Sequence, residues 1–172
     1  MNILQKEINM RTIEYVTKDK AHWGDGPWQS EPDKRQWVDK TTGYPCLIRR
    51  GGLGAWCGYV GVPEGHPLFE KAHYDDYDAV GVHGGVTFTD HCLADHAPET
   101  GICHIVEEGE DDNVWWVGFD CNHGDDIAPE SAYLYKEMNL PSDRWGGASY
   151  KTIEYVTNET LGLAQQLKAL AG

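Results

Sequence analysis

The chain has 172 residues, 40% of them apolar, with seven Trp and nine Tyr, which suits one hydrophobic core and would crowd two. Fourteen Lys and Arg against twenty-eight Asp and Glu give a net charge of −14, a field that argues against nucleic-acid backbone binding through a basic face. Two ways around that field remain: a metal ion that inverts the local sign, or an acidic surface that itself imitates DNA. No stretch approaches the roughly 18 uninterrupted apolar residues of a membrane span, and Met1–Met10 lacks a signal-peptide h-region, so the expected location is cytoplasm. The five cysteines (Cys46, Cys57, Cys92, Cys103, Cys121) show no CxxC spacing and are expected as reduced thiols.

In chain order, the hexapeptide TIEYVT occurs at Thr12–Thr17 and again at Thr152–Thr157, with unrelated flanks, so it is not a structural repeat. In the first copy Ile13 and Tyr15 alternate with polar neighbours, as in a strand. Ser30-Glu31-Pro32-Asp33 has the form of a helix start and predicts a short helix ending near Gly43. Two apolar runs, Tyr44–Arg50 and Leu53–Val62, flank Gly51-Gly52 and predict a hairpin. Further strands are predicted at Ala79–Val82, Val86–Thr89, Ile102–Val106 and Val114–Phe119, followed by a long Gly, Asp and Pro-rich connection over Cys121–Ala148. In the second TIEYVT, Ile153, Val156, Thr160, Leu163, Ala164, Leu167 and Leu170 fall at helical spacing, predicting an amphipathic helix over Tyr150–Leu170 capped by Ser149. The expected class is α+β: one domain over 1–172, a mostly antiparallel sheet with long loops, a short helix in the N-terminal half, and the C-terminal helix covering one face.

Four segments carry residues suited to chemistry. The strand Trp115–Phe119 delivers Asp120, His123 and Asp125 to the turn at its end, where a carboxylate and an imidazole can act as acid, base or metal ligand; the alternative is turn-capping acids and a surface His. In Val82–Phe88, His83 precedes Gly84-Gly85, whose backbone can approach a ligand closely, with Thr87 beside it. Such an HGG also occurs in oxyanion loops, but the G-x-S-x-G nucleophile elbow is missing, which disfavours a serine hydrolase; a plain turn is the alternative. Asp90, His91, Cys92, Asp95 and His96, with Cys103-His104, are zinc-ligand types, yet their spacing fits neither finger nor ribbon, and Cys103 reads better as core. Trp56 and Tyr59, running into Gly65-His66-Pro67, could stack a planar base as readily as they could fill a core, and Arg49-Arg50 could meet a phosphate or blunt an edge strand.

GYPCLI, CGYVGV, GHP, VHGGVTF and WWVGFDCNHGDD, in this order, resemble the motifs of a widespread family of uncharacterised small proteins from phages and prophage regions. The resemblance spans about Trp23–Asp126 and the C-terminal helix. It implies a phage origin, and the gathering of His, Gly, Asp and Trp in its motifs is compatible with one shared pocket. Small accessory phage proteins often counter host defence, so the expectation, by class, is a protein in the host cytoplasm that sequesters a nucleotide-derived immune signal. In that reading Trp56, Tyr59, His66, Gly84, Gly85, Thr87, Trp116 and Asp125 contact the ligand, with His83 and His123 in or near the pocket; His83, His123 and Asp120 are the reactive groups if the signal is cleaved rather than held. The alternatives are a phosphodiesterase-like hydrolase of the same signal, for which a divalent metal is compatible, and an acidic protein-binding inhibitor or DNA mimic. Monomer and homo-oligomer are both open.

Overall fold

In the computed structural model, residues 11–92, 97–140 and 147–172 are described. Six antiparallel strands form one sheet in the order β1-β2-β3-β4-β6-β5: β1 Ile13–Tyr15, β2 Lys34–Val38, β3 Pro45–Arg50, β4 Trp56–Pro63, β5 Phe88–His91 and β6 Val114–Asp120. Two α-helices follow, α1 Pro129–Glu137 and α2 Ile153–Leu170. This is the α+β class read from the sequence, and TIEYVT is indeed strand in its first copy and helix in its second. No helix among the described residues is long and apolar enough to cross a membrane.

Strand alternation sorts side chains onto two faces. On one, Cys46, Ile48, Trp56, Val60, Val62, Trp115, Val117 and Phe119 pack against Val156, Leu163, Ala164 and Leu167 of α2. Burial of each of these four helix residues contributes on the order of 1–3 kcal/mol, the small Ala least. The helix lies close because β4 carries Gly58 beneath it: a Cβ there would come within 2.3 Å of Thr160 Oγ1. Its first turn is capped by Thr152, whose side chain accepts from the Tyr155 amide, rather than by Ser149.

The opposite face is covered too, which the single-helix expectation did not foresee. Leu47, Cys57, Tyr59, Val114 and Trp116 pack with Ile102 and Phe88. The segment carrying Ile102 is pinned by side chains from β2 and β3. Lys34 Nζ donates to the carbonyls of Pro98, Gly101 and Cys103 at 2.6, 2.8 and 2.7 Å, Gln36 exchanges two hydrogen bonds with the Ile105 backbone, and Arg49 Nε donates to Thr100 O. Burial pushes the Lys34 ammonium down to about 8.

Several expected elements are corrected. Ser30–Asp33 does not open a helix; it leads into β2, because Glu31 and Asp33 turn inward to Arg50 instead of capping a first turn. Ala79–Val82 and Ile102–Val106 form no strand: Val80, Val82 and Ile102 plug core space without a ladder partner, while Ile105 is exposed. The predicted strand at Val86–Thr89 is shifted to Phe88–His91, and the connection after β6 contains α1, begun by Pro129 and Glu130. Cys92 and Cys103, with Cα atoms 5.0 Å apart, are joined in a disulfide, and Cys103 is only half-buried. Cys46, Cys57 and Cys121 are buried free thiols. Arg49 and Arg50 lie on a central strand, not an edge, so they do not blunt an edge strand, and Arg50 is buried against Glu31 and Asp33.

Candidate functional site

The carboxyl end of β6 and the loop before β5 meet above the first turns of α2. The loop after β6 is fixed by a parallel bridge between Asp126 and Ser149, with the Ser149 amide donating to Asp125 O and the Ile127 amide to Ser149 O. This turns the Asp126 side chain inward, fully buried, and leaves Asp125 exposed. Asp126, not the expected Asp125, is therefore the organising acid. His83 Nε2 lies 2.8 Å and His123 Nδ1 3.2 Å from the same oxygen, Asp126 Oδ2, which also accepts from the His123 amide at 3.0 Å.

Burial pushes the Asp126 carboxyl up, but hydrogen bonds from His83 and from the His123 amide and the His83 charge outweigh it, so its pKa lies below the ordinary carboxylate value. Its other oxygen, Oδ1, is buried and accepts no hydrogen bond from the described residues, although Lys151 Nζ forms an ion pair at 3.3 Å. The ammonium is near enough to attract and too poorly aligned to bond.

Helix α2 positions the first histidine. Tyr155 OH is 2.8 Å from His83 Nδ1, and Glu159 Oε2 accepts from the His83 amide at 2.9 Å. His123 is the open side of the cluster, with 38% of its side chain exposed and Nε2 facing Asp120 Oδ1 at 3.8 Å. Asp120 is held by Thr87, whose hydroxyl donates to Oδ2 at 2.9 Å. Gly84 has φ +67°, and a Cβ on it would fall 2.1 Å from His123 Cε1. Only glycine lets this turn lie against the imidazole. Beside Gly85 a cleft of about 320 Å³ opens, lined by Tyr74, Asp75, Tyr77, Asp78, Val80 and Val86.

Of the residues expected from the sequence, His83, His123, Asp120, Thr87, Gly84 and Gly85 come together here. The others do not. Trp56 and Trp116 are fully buried and Tyr59 nearly so, on opposite faces of the sheet, so they are core and offer no stacking surface. His66 is buried at the end of α2, where Nε2 donates to Leu167 O at 2.7 Å and Nδ1 accepts from the Leu68 amide at 3.0 Å, a structural cap. The zinc-like segment does not assemble among the described residues: Cys92 and Cys103 are oxidised together, His91 pairs with Glu70, and His104 packs on Trp116. Asp95 and His96 lie outside the described residues. Reading the sequence missed Asp126, Lys151, Tyr155 and Glu159. Only Asp126 had a signal, as the second half of the Asp125-Asp126 pair.

Comparison with protein-family models, curated proteins and solved structures gives no significant match. The geometry alone carries the functional argument. Among the described residues, one group could hold a metal ion, His83, His123 and Asp126, whose ligand atoms all lie within 4.8 Å of one another.

Proposed function

We propose that this protein is a hydrolase that takes a nucleotide-derived signal into the cleft beside Gly85 and cleaves a phosphodiester at the His83–Asp126–His123 cluster. The setting we propose is that of a phage protein acting against such a signal in the host cell. The observation that carries the reading is one buried carboxylate aligning two imidazoles, the arrangement by which a fixed base or ligand set is held ready for water. Tyr74, 57% exposed at the cleft and linked through its hydroxyl to Thr87 O, is the aromatic surface left for a base once Trp56, Tyr59 and Trp116 are assigned to the core.

The reaction is a simple displacement. Water oxygen bonds to phosphorus as the ester P–O bond breaks, and one water proton ends on the leaving oxygen. The products are a phosphomonoester and an alcohol. With Nδ1–H directed to Asp126, His123 Nε2 has the free lone pair and the exposure to carry that proton.

The test mixes the purified protein with a panel of cyclic dinucleotides and ADP-ribose derivatives, then separates and heat-releases any bound ligand for chromatography. New product peaks, lost in the His83→Ala/His123→Ala double variant, support the hydrolase. Ligand retained and released intact turns the reading into sequestration. A panel that passes through untouched removes the nucleotide reading and brings forward an acidic inhibitor of a protein partner.

A further inference from the structure

Among the described residues, a phosphodiester approaching this cluster meets Asp120, Asp126 and Glu159, with Lys151 paired to Asp126 beside them. That field needs a cation. We propose that His83 Nε2, His123 Nδ1 and Asp126 form a three-ligand site for a divalent metal ion of the zinc class, leaving a fourth position open to water. The proposal rests on the reading of this cluster as the working site and names how its water is activated.

Three observations lead there. First, the spacing fits: the imidazole nitrogens sit 2.8 and 3.2 Å from Asp126 Oδ2. A tetrahedral ion with bonds of about 2.0–2.2 Å holds its ligand atoms about 3.3–3.6 Å apart, so each imidazole nitrogen needs to part from Oδ2 by less than about 1 Å, and the two nitrogens already lie within 4.8 Å of one another. Second, Asp126 is over-subscribed on one oxygen and under-used on the other. Three donors converge on Oδ2, while buried Oδ1 accepts no hydrogen bond from the described residues. A cation between the two imidazole nitrogens and Oδ2 relieves the crowding on that oxygen, while Oδ1 keeps its ion pair with Lys151. The donor set, two imidazoles and one carboxylate, is also one that zinc takes in hydrolytic sites.

Third, each imidazole already has a partner for the nitrogen that would not bind metal. Tyr155 OH lies 2.8 Å from His83 Nδ1, and Asp120 Oδ1 faces His123 Nε2 at 3.8 Å. When Nε2 of His83 gives its lone pair to a metal, Nδ1 carries the proton, and the Tyr155 hydroxyl rotates from donor to acceptor. Asp120, braced by Thr87, becomes the acceptor for His123 Nε2–H once the 3.8 Å gap between them closes to hydrogen-bond distance. Partners of this kind orient ligands and raise their basicity. With the ion bound, His123 is a ligand, and the polarised water supplies the nucleophile without changing the overall balance of the reaction.

The experiment uses the full chain, stripped with a chelator and dialysed, then titrated with Zn²⁺ by calorimetry and with Co²⁺ by visible absorption. The expected result is one ion per chain and a cobalt spectrum of four-coordinate type. His123→Ala should abolish binding, and Asp126→Asn should do so independently. Tyr155→Phe should weaken binding by about 10–100-fold. Circular dichroism of each variant shows that the fold persists. No stoichiometric binding, or binding unchanged in folded His123→Ala and Asp126→Asn, overturns the proposal. Stripped protein that keeps full turnover and binds no ion also overturns it, while the hydrolase reading stands. An ion held by these three ligands, with no ligand of the panel cleaved, upholds the site and removes the hydrolase.

Discussion

Two clusters of buried acid both touch the start of α2, and they are built in opposite ways. In the first, Arg50 reaches Asp33 through Nε, Glu31 through Nη2, and both Gly54 O and Tyr150 OH through Nη1. Lys20 joins Asp33 at 3.1 Å, and Trp56 Nε1 and Tyr150 OH both donate to Glu31. Every charged side chain there is at most 7% exposed. In the second cluster Asp126 is buried as deeply, but its partners His83, His123 and Lys151 reach solvent. A buried carboxylate is thus no mark of a working site. What distinguishes the second cluster is an acid at the base of an opening with coordination left over. A closed network spends all its donors and acceptors on the fold.

The largest effect should come from breaking the closed cluster. Arg50→Met removes the cation between two buried carboxylates and should cost about 3–5 kcal/mol in denaturant unfolding. A loss below about 1 kcal/mol would show that Lys20 and the backbone alone satisfy Glu31 and Asp33. Asp126→Asn should split the other way. It keeps the shape and removes the charge that aligns both histidines, so turnover should fall about 100-fold or more while stability changes by about 1–3 kcal/mol. Turnover within threefold of the parent, on whichever ligand the panel identifies, would sink the assignment of Asp126.

Acid sharpens the contrast. Burial pushes Glu31 and Asp33 up, but hydrogen bonds outweigh it: from Tyr150, the Ile153 amide, Trp56 and Arg50 for Glu31, and chiefly from the Lys18 and Thr17 amides and Lys20 for Asp33. Both carboxyls therefore have folded-state pKa values below their unfolded ones. Their stabilisation is complete above the ordinary carboxylate range near 4 and is lost as pH falls through the lower folded values. Unfolding midpoints measured from pH 5 downward should decline, and less steeply in Asp33→Asn. Equal slopes would remove Asp33 from the account.

Much of this was legible in the sequence, and the losses have a common cause. Apolar runs located β4 and β6, and helical spacing located α2, because those signals are local. Ser30–Asp33 misled because an acid poised to cap a helix and an acid poised to meet Arg50, seventeen or nineteen residues on, look alike until the chain folds. Asp125 and Asp126 differ only in which one the Ser149 bridge turns inward, a contact across the length of a loop and a helix. Trp56, Tyr59 and Trp116 read equally as stacking residues and as core, and both faces of the sheet needed filling.

A finer pair of substitutions separates strain from geometry. Gly84 and Gly85 both have positive φ, +67° and +83°, but a Cβ on Gly84 strikes the His123 ring while one on Gly85 meets open space. Either Ala should cost about 1–2 kcal/mol for the left-handed backbone. Gly84→Ala should also swing His123 away and lower turnover and metal affinity tenfold or more, whereas Gly85→Ala should spare both. Equal losses in the two would mean that the loop's flexibility, not the approach to His123, is what matters.

The smallest expected effect tests how the two clusters are coupled. The start of α2 and the residues just before it touch both: the Ile153 amide donates to Glu31, Lys151 pairs with Asp126, and Tyr155 and, one turn on, Glu159 hold His83. Thr152 caps that turn through the Tyr155 amide. Thr152→Ala should cost about 1 kcal/mol. If Glu31 alone anchors the helix start, turnover should drop by less than threefold, because Tyr155 keeps its place. A drop matching that of Tyr155→Phe would instead mean that the cap sets the reach of Tyr155 to His83, and that the closed cluster positions the open one through a single helical turn.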